Sequence, residues 1–76
     1  RRSEDIANKA KKINKNKVTA GDLFFFEISG DKVSHVGLHI SQGYFVHASS
    51  SNGVMINHIE ENYYRNKFSF AGRIEK

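Results

Sequence analysis

Short apolar or alternating segments recur along the chain after residue 20, and turn residues separate them. An unbroken apolar run at 23–26 predicts a strand that is buried on both faces, because neither side of it is polar. Alternating segments predict further strands at 33–40, 44–48 and 54–59, and a last short strand is expected at 68–74. Four strands joined by tight turns form an antiparallel meander, which the fifth strand would close.

The first 17 residues have a different character. Ser3, followed by two acidic residues, is typical of a helix N-cap, and a weak apolar stripe follows before the segment becomes rich in Asn and Lys. One or two helical turns are also expected within 60–67. The predicted fold class is therefore α+β, an antiparallel sheet with an N-terminal helix in one domain. Residues 1–17 form its basic helix and linker, and residues 21–76 form its sheet region.

The predicted sheet needs more cover than the predicted helix provides. A strand that is apolar on both sides at 23–26 requires packing on both faces of the sheet, and one short helix covers little of either. A chain of 76 residues buries only about 60% of its unfolded surface, so its core is small. The sheet is therefore expected to pack against further chain.

Composition and charge exclude several kinds of protein. The sequence contains no cysteine, which excludes a disulfide, a thiolate metal site and a cysteine nucleophile within these residues. It contains no apolar run of the roughly 20 residues that a transmembrane helix needs. Seven of the 12 basic residues lie in the first 17 positions, whereas every aromatic residue lies at position 24 or later. Modules that bind nucleic acids usually interleave the two types, so a solvated helix face is favoured over nucleic-acid binding.

The four histidines are the candidates for proton transfer near neutral pH. A single histidine opposite the apolar face of a strand is commonly a tolerated surface residue. His35 and His47 differ, because a hairpin that places His47 opposite Gly37 makes the two histidines diagonal neighbours on one face. A three-residue loop around 42–43 gives that register, whereas a two-residue loop puts the two rings on opposite faces.

A zinc site is a disfavoured alternative to this pair. His35 and His39 lie on one face of a strand, but four residues along a strand span about 13 Å. Ligands of one tetrahedral zinc ion lie about 2 Å from the metal, and no acidic residue is placed to complete a set. The sequence predicts no metal site and no cofactor.

Four segments in order carry a family resemblance. They are residues 21–25, 34–40, 43–50 and 53–56, which read Gly-Asp-Leu-Phe-Phe, Ser-His-Val-Gly-Leu-His-Ile, Gly-Tyr-Phe-Val-His-Ala-Ser-Ser and Gly-Val-Met-Ile. Their sequence and spacing resemble the NlpC/P60 family of cell-wall peptidases, and residues 64–73 resemble the last helical turn and strand of that family. The resemblance covers nearly the whole chain.

This resemblance implies a papain-like fold and a catalytic set of cysteine, histidine and a polar residue. The family's base falls on His35, and its third residue falls on His47, which would orient the imidazole of His35. Ser34 and Ser49 flank the two histidines and are candidates for substrate contact, with ordinary strand hydroxyls beside a cleft as an equal alternative. His39 stands where the family often has an aromatic residue and is interpreted as structural, and His58 has no family role.

The family's nucleophile has no counterpart here. It lies in an Asp-Cys-Ser-Gly motif that opens a helix, and Arg1-Arg2-Ser3 resembles the segment that follows this helix. The chain is therefore expected to be the C-terminal part of an NlpC/P60-like domain whose missing N-terminal part carries the cysteine. That missing helix would also supply the cover that the sheet requires.

Two hypotheses of function follow from the resemblance. In the first, the intact domain hydrolyses an amide bond of peptidoglycan stem peptides, of the D-glutamate–diaminopimelate type, and this chain alone is inactive. In the second, the protein is a pseudo-enzyme that binds peptidoglycan or a partner as a scaffold without cutting it. A small basic nucleic-acid module is a third, disfavoured by the charge layout. The family's setting implies the bacterial cell envelope or the outside of the cell.

Overall fold

A computed structural model describes residues 3–28, 30–49 and 51–74. Arg1 and Arg2 lie outside the described residues. They belong to the segment that resembles the one after the family's cysteine helix. Ser29, one residue of a predicted turn, also lies outside the described residues.

The described residues form two α-helices, six strands and one 3₁₀ turn. In chain order these are α1 (Ser3–Lys9), β1 (Lys11–Ile13), the 3₁₀ turn (Lys15–Lys17), β2 (Leu23–Phe26), β3 (His35–Ser41), β4 (Tyr44–Ser49), β5 (Gly53–His58), α2 (Asn62–Lys67) and β6 (Phe68–Arg73). The strands form one sheet in the order β1-β6-β2-β3-β4-β5, and all neighbouring pairs are antiparallel. The α+β class is confirmed, and so is the meander of β2 to β5.

Strand β1 corrects the prediction that residues 1–17 contain only helix and linker. Lys11 pairs with Arg73 and Ile13 with Ala71, so this segment forms one edge of the sheet. Strand β6 then lies between β1 and β2 and does not extend the far end of the meander. This edge strand has only three residues, two of them lysines, so it shows no local apolar pattern. It forms by pairing with β6, about 60 residues further along the chain.

The aromatic run in β2 is buried on both faces, as predicted. Phe24, Phe25 and Phe26 have no exposed surface. Phe24 and Phe26 belong to a core cluster on one face that also contains Phe45. Phe25 points to the opposite face, where its ring stacks on Phe70 at 4.7 Å between centroids.

The histidine-bearing face of β3 is the one that packs on this core. His39 is 3% exposed and its ring lies 5.2 Å from that of Phe24, whereas Leu38 on the other face is 44% exposed. In β4, His47 is also buried, at 7% exposure. The general expectation that a histidine on this face is a surface residue therefore does not hold for His39 and His47, which agrees with the separate interpretations of His39 as structural and of His47 as one of a pair.

The turn between β3 and β4 sets the register of the hairpin. Gln42 and Gly43 both have positive φ, at 53° and 91°, so the loop itself has two residues, with Ser41 opposite Tyr44. The register then shifts between His39 and Ser41, after which His39 lies opposite Phe45. This β-bulge adds one residue to β3 and restores the register that is expected of a three-residue loop. The predicted register is confirmed, but the bulge produces it.

An ion pair joins β6 to the loop before β2. Arg73 donates from Nε and Nη2 to the two carboxylate oxygens of Asp22, both at 2.8 Å, and Asp22 is 3% exposed. These hydrogen bonds hold the pKa of Asp22 far below its usual value, against the opposing effect of burial. The pair ties the end of β6 to the start of β2.

Candidate active site

The rings of His35 and His47 meet on one face of the sheet. His35 is the first residue of β3 and His47 lies within β4. Nε2 of His35 lies 2.8 Å from Nδ1 of His47, a hydrogen-bond distance, and the two rings are nearly perpendicular with centroids 4.9 Å apart. The prediction that hairpin register brings these two histidines together is confirmed.

Aromatic residues hold both rings in place. Phe26 is opposite His35 across the β2–β3 pair, and the two rings lie 6.0 Å apart. The ring of His47 lies 4.8 Å from that of Phe45 and 5.3 Å from that of Tyr64 in α2. Because core packing restricts all of these rings, the two histidines are positioned before any substrate binds.

A glycine makes this packing possible. Gly37 lies between His35 and His39 on β3, and a Cβ atom there would collide with the ring of Phe45. The absence of a side chain lets the ring of Phe45 approach the strand closely, beside His47.

The two histidines border an open cleft of about 370 Å³. Its lining residues are Ile28, His35, His47, Ala48, Ser49, Tyr63 and Tyr64. The cleft combines aromatic and small polar side chains, which suits a short peptide with polar groups.

Burial lowers the pKa of His35 below its usual value, and the charge of neighbouring His47 lowers it further. His35 is therefore mainly neutral at neutral pH, as a general base must be to accept a proton. No described residue hydrogen-bonds to its Nδ1 atom, so that nitrogen can take a proton from a group placed in the cleft.

The two predicted substrate-contact residues both bond to the backbone of nearby turns. Ser34 Oγ accepts a hydrogen bond from the N–H of Ile28 at 3.1 Å. Ser49 Oγ accepts from the N–H groups of Ser51 and Asn52, at 3.3 and 3.2 Å, and also lines the cleft. A role in substrate contact remains a prediction for both residues.

Sequence reasoning missed three side chains around His47. Tyr64 packs on its ring, Asn57 Oδ1 lies 2.7 Å from its Nε2, and Glu61 bonds to Asn57. The sequence predicted the two strands and the tight turn of the β4–β5 hairpin without fixing its register. With Phe45 opposite Asn57 and His47 opposite Met55, Asn57 is a diagonal neighbour of His47, so an assigned register would have found it.

The other two histidines lie at the β3–β4 turn. His39 Nδ1 lies 3.0 Å from the carbonyl oxygen of Thr19, and its Nε2 accepts a hydrogen bond from the N–H of Gly43 at 3.0 Å. His58 Nε2 lies 2.9 Å from the carbonyl oxygen of Gln42. These contacts support the interpretation of His39 as structural.

The described residues provide neither a three-ligand metal cluster nor a long apolar helix. Within 3–28, 30–49 and 51–74, no group of three or more His, Asp or Glu side chains could hold a metal ion. No helix in the same ranges has the length and apolar character to cross a membrane.

The fold and the paired histidines define a class of protein, an α+β domain with two hydrogen-bonded histidines beside a cleft on one face of an antiparallel sheet. Comparison with known families identifies it further. The model of the NlpC/P60 family matches residues 1–73, and the chain belongs to that family.

Curated relatives and solved structures agree with this assignment. The chain is 39% identical over 64 residues to a protein of Haemophilus influenzae named "Probable endopeptidase NlpC homolog". The matched region covers 84% of this chain and 33% of the relative. It is 36% identical over 64 residues to the "Murein DD-endopeptidase MepS/Murein LD-carboxypeptidase" of Escherichia coli K12, covering 84% of this chain and 34% of the relative. The chain thus spans about a third of the length of these relatives.

Among solved structures, a protein of Staphylococcus aureus described as similar to lipoprotein, NLP/P60 family, superposes with a TM-score of 0.84 at 26% identity. The match covers all of this chain and 26% of that one. The sheet and helices seen here are therefore those of an NlpC/P60 domain.

Proposed function

We propose that this chain supplies the general base, His35, and the orienting histidine, His47, of a cysteine endopeptidase that cuts peptidoglycan stem peptides. The observation that carries the proposal is the 2.8 Å contact between His35 Nε2 and His47 Nδ1 beside a cleft. It leaves Nδ1 of His35 without a partner among the described residues, as a base that takes a proton from a thiol requires. The family and the endopeptidase names of the relatives support the reaction class.

The reaction needs a thiol from outside these 76 residues, since the chain contains no cysteine. His35 Nδ1 would take the thiol proton, and the resulting imidazolium would stabilise the thiolate. The thiolate attacks the amide carbonyl carbon, His35 gives the proton to the leaving amine, and a thioester forms. Water, deprotonated by His35, then hydrolyses the thioester and releases the thiol. In this proposal residues 1–76 are the C-terminal part of the domain and are inactive alone.

The bond that we propose is the amide between D-glutamate and diaminopimelate, in the bacterial cell envelope or outside the cell. The Escherichia coli relative is named for DD-endopeptidase and LD-carboxypeptidase activities, which concern other bonds. A purified cross-linked pair of stem peptides contains all of these bonds and separates them, because each cut gives products of different mass.

The test is hydrolysis of such peptides by the complete protein that contains these residues. Replacement of the base, His35→Gln, should lower kcat by about 10²- to 10⁴-fold without unfolding the protein. His47→Ala should cause a smaller loss, because it only orients the base. The matched control is His58→Gln, a histidine outside the cleft, which should keep wild-type turnover.

The outcome also decides between the enzyme and the scaffold. Unchanged turnover in His35→Gln would refute the role of His35. The absence of cysteine from these 76 residues supports the scaffold hypothesis only if the rest of the complete protein also lacks an Asp-Cys-Ser-Gly motif. In that case the intact protein would bind stem peptide without cutting it, and iodoacetamide would not change the binding.

A further inference from the structure

The hydrogen bonds of the candidate site continue beyond the two histidines. His47 Nε2 lies 2.7 Å from Asn57 Oδ1, and Asn57 Nδ2 donates to Glu61 Oε1 at 3.1 Å. Glu61 Oε2 accepts a second hydrogen bond from the backbone N–H of His58 at 2.8 Å, which holds the carboxylate in place. A continuous series of side chains therefore leads from His35 to Glu61.

The bonding capacity of each group fixes the direction of this series. An ionised carboxylate only accepts hydrogen bonds, so the Asn57 amide must present its NH₂ group to Glu61 and its oxygen to His47. That oxygen accepts only, so Nε2 of His47 must carry the proton. In neutral His47 the other nitrogen, Nδ1, is then a bare acceptor.

The same reasoning fixes the proton on His35. Its Nε2 faces the bare Nδ1 of His47 at 2.8 Å. A proton on Nε2 of His35 makes this contact a hydrogen bond, whereas a proton on Nδ1 would leave two lone pairs facing each other. The favoured neutral form of His35 therefore has its lone pair on Nδ1. When His35 accepts a proton there, every hydrogen bond of the series is kept.

We propose that Asn57 and Glu61 are positioning residues that select the reactive tautomer of His35 through His47. The inference rests on the proposed function for its catalytic meaning, but the tautomers themselves exist whether or not the protein cuts peptides. If Asn57 turned its NH₂ group toward His47, the series would reverse and Nδ1 of His35 would carry the proton. That form cannot accept a proton from a thiol.

The fold gives both residues this task. Asn57 lies on β5 diagonally beside His47, since Phe45 is opposite Asn57 and His47 is opposite Met55. Glu61 occupies the N-cap position of α2, but its side chain does not cap that helix. It bonds to Asn57 and the backbone of His58. Because Glu61 is exposed, solvent screens its charge. Glu61 therefore acts on His47 by orienting the side-chain amide of Asn57.

The direct test is ¹⁵N NMR of the histidine rings in the complete protein, because protonated and bare ring nitrogens have well-separated shifts. The wild type should show the proton on Nε2 of both His35 and His47 near neutral pH. In Glu61→Ala the Asn57 amide can reverse, and in Asn57→Leu the selection is lost, so both variants should gain the Nδ1-protonated form. Glu60→Ala, a neighbouring glutamate outside the series, is the matched control and should keep the wild-type spectrum.

Kinetics provide the second measurement. Both variants should lower kcat roughly 10-fold with little change in KM, because the substrate cleft is intact but part of the base is in the wrong form. Wild-type nitrogen spectra in Glu61→Ala and Asn57→Leu, or a proton on Nδ1 of His35 in the wild type, would overturn the proposal. If Asn57→Leu does not fold, Glu61→Ala at an exposed position decides alone. A wild-type protein that binds stem peptide without cutting it would overturn the proposed function. The nitrogen spectra would still decide this inference, because they report the tautomers directly.

Discussion

The two ends of the β3–β4 hairpin use the same side chain in opposite ways. At the turn, both ring nitrogens of His39 bond to the backbone, at Thr19 and Gly43. At the other end, His35 bonds only to another side chain, His47, and no described residue occupies its Nδ1 atom. Backbone partners fix a histidine in one state, whereas side-chain partners can orient it and leave a nitrogen for chemistry. The hydrogen-bond partners, together with the lower burial of His35, distinguish the structural histidine from the candidate base.

The largest effect on stability is expected at the turn. We expect His39→Leu to lower the free energy of unfolding by about 2–4 kcal/mol, because it leaves the Gly43 N–H and the Thr19 carbonyl without their partner. His58→Leu, at a more exposed ring on the same turn, should cost less. Urea denaturation of both variants measures the difference. Equal stability of His39→Leu and the wild type would contradict the structural role.

The sequence predicted those features of the fold that depend on neighbouring residues. The apolar run gave β2, alternation gave β3 to β5, and parity along the hairpin placed His35 and His47 on one face. It did not predict β1 or the position of β6 in the sheet. Both depend on pairing between segments about 60 residues apart, where Lys11 meets Arg73, and no local pattern records that pairing.

The candidate site was predictable to the same extent. The two histidines could be found from strand parity and from the family resemblance, but the partners of His47 could not. Asn57 enters the site only through the β4–β5 register, and Glu61 only through the path of the chain between β5 and α2. Residues that act through a second side chain leave no periodic signal in the sequence.

A smaller effect is expected at Gly37, which lies between the two kinds of histidine. A methyl group there would displace the ring of Phe45, which is fully buried and contacts His47. We expect Gly37→Ala to lower the free energy of unfolding by about 1–2 kcal/mol, as overpacking in a core does. Because Phe45 supports His47, turnover by the folded protein should fall as well.

His39→Leu provides the comparison for this variant, measured under conditions where both proteins are fully folded. Since His39 contacts the turn and not the cleft, His39→Leu should keep more of its turnover than Gly37→Ala despite its larger loss of stability. The reverse ranking would show that the two ends of the hairpin are not separate in function.

The smallest effect is a pH dependence of stability that arises from His35 at the cleft end of the hairpin. Folding lowers the pKa of His35, mainly through burial, so the unfolded chain binds a proton more readily than the folded one. Stability should therefore rise with pH up to the ordinary histidine pKa of about 6.5 and be lost as pH falls through the lower, folded value. In His35→Gln this contribution is absent, whereas Asp22 loses its own stabilising charge only at much lower pH.

Urea denaturation between about pH 5 and 7.5 measures this contribution. The free energy of unfolding should rise more steeply with pH for the wild type than for His35→Gln. Parallel curves would contradict the inference that the fold holds His35 in its neutral form.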